Sequence, residues 1–222
     1  HLNKPDIVKM VVEEAPDCMK QLIEWGTDFD HNTEGEIDLG MEGGHSANRI
    51  LHFKDITGFE VEKTLLEQVD KLPNIEILPY HFAIDLITDH HLGKKIDSSD
   101  ISCYGAYILN QKTNKIETFL ASSIILATGG IGQVYAATTN PVIATGDGIA
   151  MAYRAKARII DMEFVQFHPT ALYQPGVSPS FLISEAVRGF GAYLRNKAGT
   201  RFMLDIDERA ELAPIDVVSR AI

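Results

Sequence analysis

Tryptophan occurs once and cysteine twice in these 222 residues, and no apolar stretch approaches the roughly 20 residues that a membrane helix requires. Cys18 and Cys103 lie far apart and form neither a CxxC nor a metal-ligand spacing. Two readings of them stand: reduced thiols in a cytoplasmic setting, which is the simpler, or a single disulfide. Basic residues are in deficit, 20 Lys and Arg against 31 Asp and Glu, giving a net charge of −11. That balance excludes nucleic acid as a partner, because phosphate binding needs clustered cations, and counts against an anionic membrane surface. The dinucleotide fingerprint GxGxxG is also missing, and "GGIGQVY" has the wrong spacing. Any dinucleotide cofactor must have its main phosphate loop outside these residues. The opening "HLNKPDIV" has no signal-peptide character. The closing "VVSRAI" is a helical pattern with no stop signal, as expected of a segment of a longer chain.

What is present is ordinary globular composition, 45% hydrophobic and 23% charged, in a length suited to one large domain or two small ones. Ile7, Val8, Val11, Val12, Met19, Leu22 and Ile23 recur at helical spacing, with Asn3 as cap, Pro5 in the first turn and Gly26 as stop. Pro16 predicts a division into two helices. A further helix is expected over 58–72, ended by Pro73 and Asn74. "IEILPYHFAIDLITD" is β-rich, and the stretch from Ile101 reads as strand, polar turn and strand, followed by an apolar run. Helices and strands alternate, which predicts an α/β architecture with part of the sheet antiparallel.

Two glycine clusters stand out. "SSIILATGG" is an apolar run, read as a buried strand, that breaks at Gly129 and Gly130; ligands of open α/β sheets sit at such strand ends. "TGDGIAMAYRAKA" places Asp147 at a helix start, where free amides favour anions. Turn geometry and helix capping explain both equally well. In "EFVQFHPT" an apolar run stops at His168, which taken alone reads as a core histidine satisfied by backbone groups. "SEAVRG" sets Glu185 and Arg188 three apart, and that spacing alone indicates an ion pair on a helix surface.

Taken together, "ATGGIGQVY", "TTNPVIATGDGIAMAYRAKARIIDMEFVQFHPTALY" and "FLISEAVRGFGAYLRNKAGTRFM" resemble the succinate dehydrogenase/fumarate reductase flavoprotein family in order and spacing, over essentially all 222 residues. Within it, "EGGHSANRILHFKDITG" resembles the branch that oxidises L-aspartate, which has a carboxylate before the paired glycines where the dicarboxylate dehydrogenases usually have an aromatic. The resemblance implies part of a Rossmann-like FAD-binding domain over 1–160 and part of a smaller, mixed capping domain over 161–222. Relatives are more than twice as long, with a GxGxxG segment ahead of this region and further substrate residues beyond it.

The activity implied is FAD-dependent oxidation of L-aspartate to iminosuccinate, with oxygen or fumarate as electron acceptor. The product would feed quinolinate and NAD synthesis, which makes quinolinate synthase a candidate partner. The resemblance casts Glu42 as the partner of the substrate ammonium, and His168 and Ser184 as carboxylate ligands. It casts Glu185 and Arg188 as the catalytic pair, and Gly129, Gly130 and Asp147 as FAD contacts. Two positions depart from the pattern: Phe190 stands where the family has glutamate, and Ile215 where it has the acid/base arginine. Isoleucine can neither move a proton nor clamp a carboxylate, and Arg220, five residues on, is an imperfect replacement. Two other readings remain: a flavoprotein subunit of a succinate dehydrogenase or fumarate reductase, and a domain that folds without catalysing anything. The isolated 222 residues are expected to be inactive.

Overall fold

The computed structural model of the chain describes residues 2–94 and 101–222. Helix α1 runs over Pro5–Glu24, with Pro5 at its start, where a fixed φ and a missing N–H cost nothing. Lys4, and not Asn3, occupies the N-cap position. Gly26, at φ 105°, ends the helix in a Schellman turn: its N–H donates to the Ile23 carbonyl and that of Thr27 to the Leu22 carbonyl. Pro16 lies inside the helix without dividing it, contrary to the sequence expectation. A proline forfeits one ladder bond, and here the turns on either side carry the helix through. No α1 residue is buried, and Ile7, Val8, Val11 and Val12 are all exposed.

The chain forms two compact units, His1–Ile77 with Glu185–Ala213, and Leu78–Ser184 with Pro214–Ile222. In the first, strand β1 (Leu39–Gly40) pairs antiparallel with β2 (Ile50–Leu51), Leu39 opposite Leu51. Helix α2 (Thr57–Val69) buries Glu60 and Thr64, and the Thr64 hydroxyl donates to the Glu60 carbonyl at 3.0 Å. It stops at Asp70, short of Pro73, as the N–H groups of Asp70, Lys71 and Leu72 turn back onto its last carbonyls. The Gln68 side chain donates to the Trp25 carbonyl and ties α2 to the end of α1. Phe29, Met203, Ala210 and Ala213 supply the buried apolar side chains of this unit. Arg201 grips Glu211 through Nε and Nη2 at 3.0 and 2.7 Å, and its guanidinium lies 3.7 Å from the Tyr193 ring centroid.

The second unit is built on a meander of strands β3 (His81–Thr88), β4 (Cys103–Asn110) and β5 (Lys115–Leu120) in that spatial order. The β4–β5 turn is set by Asn110, whose Oδ1 accepts the N–H groups of Lys112 and Thr113. Every strand ladder among the described residues is antiparallel. Helix α3 (Asp147–Arg154) is anchored by Arg154, which donates to Asp85 at 2.9 Å and to the Ile84 carbonyl at 3.0 Å on β3. The apolar run 122–130 is not the buried strand that the sequence predicts. It is irregular, with Ile125 90% exposed, because a strand needs a hydrogen-bonding neighbour and none of the described residues supplies one. Residues 163–168 are likewise irregular, with Phe164 and Phe167 exposed. Two short helices complete the fold, α4 (Glu185–Gly189) in the first unit and α5 (Ile215–Ala221) in the second.

Candidate functional site

The β1–β2 pair in the first unit projects the loop that carries Glu42. Its base is closed by the Arg49 N–H donating to the Gly40 carbonyl, and the Glu42 N–H donates to His45 Nδ1 at 3.4 Å. Beyond Glu42 the loop lies against α4. A Cβ on Gly43 would stand 3.3 Å from Glu185 Oε2, and the Gly44 N–H donates to the Leu212 carbonyl at 2.8 Å. The loop of Glu42 and the Glu185–Arg188 pair, expected from separate stretches of sequence, are thus brought together.

Glu185 and Arg188 do not form the surface pair that their spacing alone predicts. Their side chains are 9% and 4% exposed, and Arg188 Nη2 lies 3.7 Å from Glu185 Oε1. Nε, Nη1 and Nη2 of Arg188 are all buried without a hydrogen-bond partner among the described residues. The Glu185 charge offsets part of the cost of burying the guanidinium, and an acceptor within hydrogen-bond reach of its N–H groups would offset more. Phe190, two residues after Arg188 and just past the end of α4, is 96% exposed.

In the second unit, Thr170 and Leu172 pair with Ile183 and Phe181, around the isolated bridge Ala171–Leu182. The register brings His168 and Ser184 to the same end of this short ladder. His168 Nδ1 is engaged by the Thr170 backbone, 3.0 Å from its carbonyl oxygen and 3.2 Å from its nitrogen. The local backbone therefore holds one ring nitrogen and orients the imidazole, and Nε2 has no hydrogen bond among the described residues.

Ser219 on α5 donates from Oγ to the Phe167 carbonyl at 2.7 Å, fixing the helix beside the residue that precedes His168. Ile215 is one helical turn before Ser219 and shares its face. Arg220 is exposed and paired with Asp216 at 2.7 Å, one residue off that face.

The glycine clusters of the second unit meet. A Cβ on Gly148 would collide with Thr128 Oγ1, so the end of the 122–130 run is pressed on the start of α3. Gly146 caps α3 at φ 78°, and the Asp147 carboxylate accepts from the Thr145 hydroxyl at 3.0 Å. Gly129, at φ 72°, and Gly130 have, among the described residues and apart from their chain neighbours, no atom within 4 Å of where a Cβ would project. Open backbone beside a helix start is a surface that a flat ring or a phosphate can approach closely, so these residues fit a flavin nucleotide.

Three features escaped the sequence pattern. His52 is bracketed by Asp30 and Asp38, with Nδ1 2.9 Å from Asp30 Oδ2 and Nε2 3.8 Å from Asp38 Oδ2. The Lys54 backbone N–H, and after it His52, hold the Asp30 carboxyl below its ordinary range. In the second unit, Asp89 accepts from Lys94, the Ser102 backbone and Tyr104, which together hold its carboxyl at about 2. A cavity of about 900 Å³ lies nearby, with Thr88, Lys94, Cys103, Lys156 and Arg158 in its wall, and none of the sequence-predicted site residues lines it. Cys18 and Cys103 are both free thiols on the surface. No helix among the described residues is long and apolar enough to cross a membrane.

A family model described as FAD binding domain matches residues 1–222, and the chain belongs to that family of flavin-dependent proteins. The fold agrees: an E. coli quinol fumarate reductase structure superposes with a TM-score of 0.85 at 32% identity, covering 97% of this chain and 37% of that one. Mycobacterium smegmatis Sdh1 in complex with UQ1 gives 0.69 at 36% identity over 95% of this chain and 35% of that one. The fold class is accordingly α/β, and the cofactor of the family is FAD.

Among curated relatives, L-aspartate oxidase 2-b, chloroplastic, of Nicotiana tabacum is 49% identical over all of this chain and 34% of its own length. The L-aspartate oxidase of Acinetobacter baylyi is also 49% identical, over all of this chain and 40% of its own length. The chain thus spans about a third to two fifths of these relatives.

Proposed function

We propose that the chain is the central part of an FAD-dependent L-aspartate oxidase, converting L-aspartate to iminosuccinate on the route to quinolinate and NAD. The observation that carries this reading is the buried Arg188 guanidinium, ion-paired with Glu185 yet with no hydrogen-bond partner for its three nitrogens among the described residues, and the loop of Glu42 rests against Glu185. An amino-dicarboxylate needs cationic donors for its carboxylates and an anion for its ammonium, and these residues offer both. Names of relatives at 46–50% identity support the choice of aspartate.

Gly129, Gly130 and Asp147 would hold the FAD, which when bound supplies the two-electron acceptor for the substrate's α-hydrogen. The protein contributes orientation and charge. Glu42 binds the α-ammonium, His168 through Nε2 and Ser184 through its hydroxyl bind a carboxylate, and Arg188 orients the substrate with Glu185 as its counter-charge. Ile215 withholds the arginine expected at its position, so proton transfer there is slowed by orders of magnitude. The domain assignment 1–160 and 161–222 belongs to this reading, as do a cytoplasmic location, oxygen or fumarate as acceptor, and quinolinate synthase as partner. The fumarate reductase neighbours support a fumarate-type acceptor.

The test is anaerobic. The full-length, FAD-loaded protein is mixed with L-aspartate or with succinate, and flavin absorbance is followed. Bleaching by aspartate alone supports the oxidase. Bleaching by succinate alone replaces it with the dehydrogenase reading, and bleaching by neither leaves a flavin-binding domain disabled at Ile215.

A further inference from the structure

The loop that carries Glu42 hangs from two residue pairs of β1 and β2, a short support for a group that must hold a charge in place. Register sets Asp38 opposite His52, just outside the last of those pairs. The His52 ring fills the space at the base of the loop: a Cβ on Gly40 would lie 3.2 Å from His52 Cδ2, two residues before Glu42. The ring is also fixed on its far side by Asp30 at 2.9 Å, and the Asp30 segment is laced to both neighbours. Its N–H donates to the His52 carbonyl and its carbonyl accepts from Asp38, each at 2.8 Å. Lys54 also reaches this point, its backbone N–H donating to the same Asp30 oxygen at 2.6 Å.

One imidazole thus links three chain segments, and among the described residues its polar neighbours are carboxylates on two of them. We infer that His52 is a positioning residue for Glu42. Hydrogen-bonded to Asp30 and facing Asp38, it locks the base of the 41–49 loop and so sets the preference for an amino-dicarboxylate over a plain dicarboxylate. This rests on the reading of Glu42 as partner of the substrate ammonium. Losing the ring frees the loop stem, which weakens a contact made through Glu42 and spares contacts made by carboxylate ligands elsewhere. Residues that act through one group couple in a double-mutant cycle, whereas independent losses add.

The experiment measures binding of L-aspartate and of succinate to the FAD-loaded full-length protein by perturbation of flavin absorbance. The variants are Glu42→Gln, His52→Ala, His52→Gln and the double variant Glu42→Gln/His52→Ala. His52→Ala is expected to weaken aspartate about fivefold and succinate less than about twofold. His52→Gln, which can still donate to Asp30, recovers part of the loss. The double variant binds aspartate no more weakly than Glu42→Gln. Equal loss of both ligands in His52→Ala, no loss of either, or additive losses in the double variant each overturn the positioning role. Unchanged aspartate binding in Glu42→Gln overturns the underlying reading of Glu42 and is recognised separately from those outcomes.

Discussion

Gly43 lies against Glu185. A methyl group at Gly43 would stand 3.3 Å from the Glu185 carboxylate and 3.4 Å from the Ala213 carbonyl, tighter than ordinary packing. The glycine lets the loop of Glu42 reach the buried pair. Gly43→Ala is expected to cost about 1 kcal/mol of stability and to weaken aspartate binding. Gly43→Val is expected to be worse on both counts. Thermal melts and a binding titration read the two effects.

Glu185→Gln leaves the Arg188 guanidinium buried without the carboxylate it pairs with among the described residues. The expected loss is about 3 kcal/mol, because the desolvation of the arginine is no longer offset. Adding Arg188→Met should return part of that stability, as an apolar pair of similar volume needs no water. Urea unfolding of the single and double variants checks this. A double variant less stable than Glu185→Gln would show that the arginine is satisfied in some other way.

Ile215→Arg places a guanidinium on the α5 face that docks beside His168 through Ser219. Aspartate turnover of the full-length enzyme should rise at least about tenfold. Steady-state assays decide, and an unchanged rate would mean that position 215 plays no part in the chemistry.

Acid should unfold the protein through a defined set of carboxylates. Asp89 and Asp207 are held at about 2, the first mainly by Lys94 and the second mainly by Arg209, and Arg201 lowers Glu211. Depressed folded-state values mean that the unfolded chain takes up protons first. The stabilisation is whole above about pH 5 and declines as pH falls through about 4 toward 2. The urea midpoint should follow that course, and Asp89→Asn should flatten it.

Arg201→Lys removes the two-pronged grip on Glu211 and the stack on Tyr193. Arg220→Lys alters only an exposed pair with Asp216. The first should lower the thermal midpoint by a few degrees and the second hardly at all. Equal shifts would show that the Arg201 cluster does no more than a surface pair.

Local chemistry was legible in the residues wherever one segment settles its own structure. Pro5 and Gly26 bound α1, Asn110 shapes the β4–β5 turn, and the β3–β4–β5 meander follows its alternating pattern. Family motifs named Glu42, Glu185 and Arg188, but their spacing alone assigned the pair to a helix surface, since period says which residues share a face and nothing of what covers it. The 122–130 run shows the same limit from the other side: its apolar residues predict a strand, and a strand exists only where a second one supplies its hydrogen bonds.

The sequence by itself determined the family, the fold class and the identities of the charged groups, because these are carried by residue type and order. The tertiary structure decided which of those groups lose water and which neighbours they acquire. Arg188 loses its water only because folding buries it beside Glu185, where Nε, Nη1 and Nη2 have no hydrogen-bond partner among the described residues. His52 becomes a clamp only because strand register sets it between Asp30 and Asp38, 22 and 14 positions away along the chain. Desolvation and long-range contact belong to the folded chain, and no local pattern encodes them.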